Sequence, residues 1–212
     1  MELLDVHSKS LGKAATLSGF QVMNSLQPLD VIAVLNGSGI SFVLVGAYGI
    51  VGWTKRPRAT EDVDLVVAAR HNKKAIKTLL AAFPQLESDD QEVVTRLRDQ
   101  TTKDVVIDLI KPNQPLNRAI FKHTESVQMQ GKTYRIPTLE MALAMKFAPM
   151  ISLTRSEEKK HYDAGDFILM VRANPNIDLG KLTELGDLVY SGGGQEIVEK
   201  VGQVRAGQKL QL

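Results

Sequence analysis

The chain has 212 residues, of which 43% are hydrophobic and 24% charged, and its formal net charge at pH 7 is +2. This composition is typical of a globular protein and excludes a mostly disordered chain, a collagen and a coiled coil, while the weak net charge gives no general attraction to nucleic acids. Cysteine is absent, which excludes disulfides, zinc–thiolate sites and thiol nucleophiles.

The start of the chain does not have the charge pattern of a secretory signal. It begins Met1-Glu2-Leu3-Leu4-Asp5, which is acidic where a signal peptide is basic. The longest uncharged and mainly apolar run, Phe42 to Trp53, has 12 residues and is too short to cross a bilayer. The sequence therefore predicts a cytoplasmic protein without a membrane segment.

The first two thirds of the chain mix predicted strands with predicted helices. Residues 1–27 show no clear period and receive no assignment. The spacing of apolar residues, together with prolines and glycines, predicts helices over 28–37, 47–53, 72–83 and 114–122. Short apolar or alternating segments predict strands over 41–45, 62–67 and 105–110, an edge strand over 92–97, and a hairpin of 126–130 with 133–136. Residues 54–61 are predicted to form a polar, basic loop.

After residue 137 every predicted element is a helix. The helical patterns cover 138–150, 156–172, 178–190 and 195–205. The sequence therefore predicts an α+β or α/β architecture with a small sheet backed by helices. We divide the chain into a core over 1–137 and a helical C-terminal region over 138–212 that packs on it.

Asp62 and Asp64 are the most informative pair of residues. On a strand, residues i and i+2 point to one face, so both carboxylates are expected to project together. Two like charges side by side repel, and a hard divalent ion such as Mg²⁺ would neutralise them. The alternative is that the two side chains lie on a solvated face of the sheet.

Asp108 repeats this pattern in the middle of the apolar segment 105–110. An acidic residue in such a run is unfavourable in a core without a partner. If the two strands are neighbours, Asp108 joins Asp62 and Asp64 on one face. Three carboxylates can hold two metal ions about 4 Å apart, the arrangement used for in-line phosphoryl transfer.

Gly46 marks the change from a buried strand to a helix. Backbone N–H groups at such a junction can face an anion, and glycine permits close approach of a phosphate. The basic loop that follows, with Lys55, Arg56 and Arg58, would suit a metal-bound triphosphate. The alternatives are an ordinary turn and a solvated loop.

Lys146 and Asp163 are candidates in the helical region. Lys146 lies on the apolar stripe of helix 138–150, and Asp163 shares a helix face with Phe167. Asp163 can accept a hydrogen bond from Lys146 or from a ligand, and Asp166 is the weaker candidate. The alternatives are a lysine that extends to water and a surface ion pair between Asp163 and a neighbouring lysine.

Segments 45–49 and 56–67 resemble the signature of the DNA polymerase β-like nucleotidyltransferase superfamily. In that signature a strand ends in Gly-Gly or Gly-Ser, and an Asp-x-Asp strand follows. The segments Gly46-Ala-Tyr and Pro57-Arg-Ala-Thr are especially similar to the corresponding segments of the bacterial AbiEii- and MenT-like branch. Two features depart from the signature. Ala47 replaces the second glycine or serine, and the 14 residues between Ala47 and Asp62 form a slightly long gap.

The resemblance implies a nucleotidyltransferase fold, a small mixed sheet flanked by helices with a helical C-terminal region. It implies transfer of a nucleoside monophosphate from an NTP such as ATP to an acceptor hydroxyl with release of pyrophosphate, in the presence of Mg²⁺ or Mn²⁺. The metal ligands would be Asp62, Asp64 and Asp108, which together with Lys146 would carry the catalysis. The NTP would be held by Gly46, Ala47, Arg58, Thr60, Lys146 and Asp163.

The acceptor stays open at this point. The toxin-like relatives imply a tRNA 3′ end and a possible antitoxin partner, whereas antibiotic-modifying relatives imply a small-molecule hydroxyl. A third alternative is a non-catalytic module that binds nucleotides or a protein partner, which the substitution at Ala47 slightly favours.

Overall fold

The computed structural model describes residues 26–211, so most of segment 1–27 lies outside the described residues. The helices are α1 Pro28–Gly37, α2 Gly46–Thr54, α3 Asn72–Ala82, α4 Pro115–Ala119, α5 Leu139–Met150, α6 Glu157–Ala173, α7 Leu179–Asp187 and α8 Gly193–Arg205. The strands are β1 Phe42–Leu44, β2 Val63–Val67, β3 Leu86–Asp90, β4 Val94–Asp99, β5 Val105–Ile110, β6 Thr124–Met129 and β7 Lys132–Pro137. Short 3₁₀ turns cover Ala69–His71 and Ile120–Lys122.

The central sheet has five strands in the order β1-β2-β5-β4-β3, and β6 and β7 form a separate hairpin. Strands β2 and β5 run parallel, while the other neighbours in the sheet are antiparallel, so the sheet is mixed as expected.

The prediction of an edge strand at 92–97 is wrong. Strand β4 lies inside the sheet, and β3 forms the edge. Strand β3 is not predicted because its residues Glu87–Asp90 are polar or charged and show no apolar alternation. An exposed edge strand needs few apolar residues.

The two faces of the sheet carry separate hydrophobic clusters. Val43 and Val66 pack with the C-terminal helices α5 to α8. Leu44 and Leu65 point the other way and pack with α1, α3 and the β6–β7 hairpin. Because side chains alternate along a strand, Asp64 shares the face of Val66. The α+β prediction is confirmed, and Asp64 faces the helical C-terminal region.

Helix α2 is fixed close to the sheet by three contacts. A Cβ on Gly49 would lie 2.4 Å from the carbonyl oxygen of Leu44, so only glycine permits this approach. The indole Nε1 of Trp53 donates to the carbonyl oxygen of Pro137 at 3.0 Å. The Asn174 amide at the end of α6 donates to the Trp53 carbonyl at 2.8 Å. These contacts hold the first turn of α2 beside β2.

Over residues 26–211, no helix combines the length and the apolar character that a membrane crossing requires. The division of the chain at residue 137 stays a prediction.

Candidate active site

Three carboxylates meet where β2 and β5 lie side by side. Asp64 pairs directly with Asp108 in the parallel register. Asp62 immediately precedes β2, in a bend, so the strand begins one residue later than predicted. Even so, one oxygen of each of the three residues lies within 4.8 Å of the others. The Thr60 hydroxyl donates to Asp62 Oδ1 at 2.7 Å and orients that carboxylate.

The cluster carries a strong electrostatic cost when all three residues are charged. Burial, together with the charges of Asp62 and Asp108, raises the pKa of Asp64 to about 7, although Lys146 and Arg58 oppose this shift. Burial also raises the pKa of Asp108. Such shifts are typical of carboxylates that share a site without a cation.

Gly46 and Asp64 are in close contact across the site. Gly46 has a positive φ of 60°, and a Cβ there would lie 1.9 Å from Asp64 Oδ2. A side chain at position 46 would therefore displace the carboxylate. Because Gly46 begins α2, the N–H groups of the first helical turn lie beside the carboxylate cluster. A helix N-terminus at this place can bind phosphate oxygens.

The three carboxylates also fit a divalent metal ion. Oδ1 of Asp108 is buried and has no hydrogen-bond partner among the described residues. The nearest cation, Arg96, has its Nε 3.7 Å away, which is too long for a hydrogen bond. A buried anionic oxygen without a donor is unfavourable, and hard oxygen ligands are those that Mg²⁺ prefers.

Lys146 is the centre of a buried ion-pair network between α5 and α6. Its Nζ lies 2.9 Å from Asp163 Oδ1 and 2.8 Å from Asp166 Oδ2. Burial opposes the charge of Lys146, but the two carboxylates outweigh it and raise the pKa. Asp163 and Asp166 are only 3% and 4% exposed. The alternatives of a lysine extending to water and a surface ion pair are therefore wrong.

Two arginines complete this network. The Arg58 guanidinium lies 3.3 Å from Asp166 Oδ2, so the basic loop is tied to α6. The Nε of Arg155 lies 2.7 Å from Asp163 Oδ2. Sequence reasoning ranked Asp166 below Asp163 and missed Arg155. The spacing of the two aspartates on one helix was the available signal, whereas nothing in the local pattern indicates Arg155.

The remaining candidates lie beside the carboxylate cluster. Ala47 is 9% exposed in the first turn of α2, where its methyl group offers no hydrogen bond. Burial and the charge of Asp62 raise the pKa of Tyr48, which follows Ala47 in the same turn. Thr60 contacts Asp62 in the described structure, so it contributes to the site by orienting a carboxylate.

A cleft of about 720 Å³ opens beside the carboxylates. Asp64, Asp108, Lys146, Asp163 and Arg155 supply the charged part of its lining. The cleft thus joins the carboxylate cluster to the ion-pair network. Its volume is in the range of sites that bind small molecules of nucleotide size.

Comparison with known proteins identifies the fold. No family model and no curated protein matches the sequence. An antigenic nucleotidyltransferase-like protein from Paracoccidioides brasiliensis is similar in structure, with a TM-score of 0.51, 20% identity and 95% of each chain covered. The antibiotic-resistance factor ANT(2″)-Ia is also similar, with a TM-score of 0.53, 10% identity, and 85% of this chain and 96% of that chain covered. This chain therefore has a nucleotidyltransferase-like fold.

Proposed function

We propose that the protein is a metal-dependent nucleotidyltransferase that moves a nucleoside monophosphate from an NTP to an acceptor hydroxyl. The observation that carries the proposal is the convergence of Asp62, Asp64 and Asp108 beside the glycine that begins α2. The nucleotidyltransferase-like fold supports it. Neither a solvated sheet face nor an ordinary turn explains a buried oxygen on Asp108 that accepts no hydrogen bond from the described residues.

The three carboxylates would hold Mg²⁺ or Mn²⁺, which would supply charge neutralisation for a bound triphosphate. The first turn of α2, from Gly46 and Ala47 onward, would bind phosphate oxygens through its backbone N–H groups. Arg58 and Lys146, which are close enough to Asp64 to oppose the rise in its pKa, would add positive charge to the phosphate site. Asp163 would hold Lys146 in place, since their atoms are 2.9 Å apart.

In the proposed reaction the acceptor oxygen forms a bond to the α-phosphorus of the NTP. The bond from that phosphorus to the bridging oxygen of the β-phosphate breaks, and pyrophosphate leaves. The carboxylate of Asp108, which lies beside Asp64 in the parallel register, would receive the hydroxyl proton. The rest of the catalysis would come from positioning and electrostatic stabilisation.

The acceptor is either a small molecule or a tRNA 3′ end. An antibiotic-resistance factor among the similar structures favours a small-molecule hydroxyl. A tRNA acceptor, with a toxin-like role and an antitoxin partner, rests on the sequence resemblance alone. A cytoplasmic location also rests on the sequence.

A non-catalytic nucleotide-binding module is the second candidate function. The observation in its favour is Ala47, which places a methyl group where the superfamily signature has a second glycine or serine. A binding module would retain metal-dependent NTP affinity without releasing pyrophosphate.

The test is a pyrophosphate-release and label-transfer assay with each of the four labelled NTPs and Mg²⁺ or Mn²⁺. The wild type is compared with Asp62→Asn and Asp64→Asn, and exposed Asp104→Asn is the matched control. We expect turnover by the wild type and the control and its loss in the two site variants. Unchanged turnover in the site variants would contradict the metal assignment. Metal-dependent NTP binding without turnover would favour the binding module.

A further inference from the structure

Arg155 lies in the cleft but belongs neither to the carboxylate cluster nor to the sequence signature. It stands in the short connection between α5 and α6, directly before the N-cap residue of α6. It lines the cleft together with Lys146 and Asp163, whereas Arg58 is not among the described residues that line it. Of the two arginines in the ion-pair network, Arg155 is therefore the one that a ligand in the cleft can contact.

The ion-pair network carries more positive than negative charge. Its two aspartates face three cations, which are Lys146, Arg58 and Arg155. Lys146 contacts both aspartates, so it and one arginine would already neutralise them. The remaining positive charge is available to the cleft because Arg155 lines it.

Arg155 is much more exposed than the aspartate it faces. The side chain of Asp163 is 5% exposed, whereas that of Arg155 is 37% exposed. A cation at the surface of a cleft, with its counter-ion buried behind it, presents positive charge to an incoming anion. The network therefore holds Arg155 in place and leaves its outer side open to a ligand.

The contact with Asp163 uses little of the hydrogen-bonding capacity of Arg155. The Nε of Arg155 lies 2.7 Å from Asp163 Oδ2, but neither atom takes part in a hydrogen bond with the described residues. A guanidinium has five N–H donors in a planar fork, which matches two oxygens of a phosphate. Arg155 can therefore keep its charge beside Asp163 and bind a phosphate at the same time.

The other charges of the cleft fit a ligand with several linked phosphates. Asp64 and Asp108 line the same cleft and are the proposed metal ligands, so their negative charge would be neutralised by the metal. Lys146 and Arg155 contact different oxygens of Asp163 and so lie at two separate points. Two separate cations near a metal site can each contact a different phosphate.

We infer that Arg155 binds phosphate oxygens of the NTP and is a substrate-binding residue of this chain. The inference rests on the proposed nucleotidyl transfer and adds to it a residue of the triphosphate site. Arg58 contacts Asp166 from the basic loop and acts as a positioning residue at the other end of the network.

The test is isothermal titration calorimetry of the full chain with inorganic tripolyphosphate and, separately, with a non-hydrolysable ATP analogue, both with Mg²⁺. The wild type is compared with Arg155→Gln and Arg155→Lys. Arg172→Gln is the matched control, since Arg172 is an exposed arginine in the last turn of α6 and does not line the cleft.

We expect the wild type and the control to bind both ligands equally well. Arg155→Gln should weaken both affinities about tenfold, because a charge-assisted, two-pronged contact is lost. Arg155→Lys keeps the charge beside Asp163 but loses the planar fork, so it should weaken them about threefold. Absence of tripolyphosphate binding by the wild type, unchanged affinity in both Arg155 variants, or an equal loss in the control would each overturn the inference.

Binding of Mn²⁺ without any phosphate, followed by electron paramagnetic resonance, separates a phosphate contact from a structural role. Arg155 is not a metal ligand in this account, so the Mn²⁺ affinity of both variants should not fall. A loss of Mn²⁺ affinity equal to the loss of tripolyphosphate affinity would show that Arg155 only supports the fold of the site, and it would overturn the inference.

The label-transfer assay tests the proposed function separately. Tripolyphosphate binding that depends on Arg155, without label transfer to any acceptor, would contradict nucleotidyl transfer and support the role of Arg155. Equal rates of label transfer by the wild type and Arg155→Gln at NTP concentrations below KM would overturn the inference and leave the transferase standing.

Discussion

Replacement of Asp64 by asparagine should stabilise the metal-free protein while it abolishes activity. Burial and the charges of Asp62 and Asp108 raise the pKa of Asp64 to about 7, whereas an unfolded chain has an aspartate pKa of about 3.9. A carboxyl group whose pKa is higher in the folded than in the unfolded state does not lower the free energy of unfolding at pH values below its unfolded-state pKa. It destabilises the fold progressively as the pH rises toward the folded pKa. Wild-type stability should therefore fall between about pH 4 and pH 7.

The magnitude follows from the size of that shift. About three pKa units at about 1.36 kcal/mol each give a cost of about 4 kcal/mol above pH 7. The asparagine amide avoids the charge but keeps a desolvation cost of about 1–3 kcal/mol. We therefore expect Asp64→Asn to gain about 2 kcal/mol at about pH 8, which corresponds to a rise in Tm of about 4–8 °C for a chain of this size.

The assay is thermal unfolding in the presence of a chelator at about pH 5 and about pH 8. The variant should be more stable than the wild type only at the higher pH, and Asp104→Asn should not change the difference. Added Mg²⁺ should then stabilise the wild type and not Asp64→Asn, because ligand binding to the folded state raises its stability. A variant that is less stable than the wild type at about pH 8 without metal would refute the reasoning.

Three further substitutions test other parts of the site. Gly46→Ala should reduce turnover at least about 100-fold and destabilise by about 1–3 kcal/mol, because its Cβ collides with Asp64 Oδ2. Gly37→Ala, where a Cβ meets nothing within 4 Å, is its control in urea unfolding and turnover assays. Lys146→Met should cost about 3 kcal/mol in urea unfolding, since it removes the cation that two buried aspartates share. The cost is at the lower end for a broken buried ion pair because each aspartate keeps one arginine. Equal stability to the wild type would show that the network does not matter for folding. Thr60→Val should lower turnover about tenfold with little change in Tm. A clear fall in Tm together with the fall in turnover would indicate that the hydroxyl has only a structural role.

The carboxylate site could be predicted from the sequence because its parts are local. Apolar runs interrupted by single aspartates identify Asp64 and Asp108, and glycine at a strand–helix junction identifies Gly46. The adjacency of β2 and β5 could not be predicted, since periodicity describes one strand and not its neighbour. That adjacency is what places Asp64 opposite Asp108.

The ion-pair network shows where sequence reasoning reaches its limit. A lysine on an apolar helix face either extends to water or meets a buried partner, and only tertiary packing decides between these outcomes. Arg155 and Arg58 approach α6 from connecting segments, so neither contact follows a helical or strand period. Strand β3 cannot be predicted for a similar reason, because its exposed charged residues give no strand period and its pairing with β4 stabilises it.

The most direct test of the central claim is a Mn²⁺ titration followed by electron paramagnetic resonance, with a non-hydrolysable ATP analogue present. The account predicts that the wild type and Asp104→Asn bind Mn²⁺ tightly together with the analogue, and that Asp64→Asn loses most of this affinity. Equal Mn²⁺ affinity in all three proteins would contradict the assignment of Asp62, Asp64 and Asp108 as the metal site.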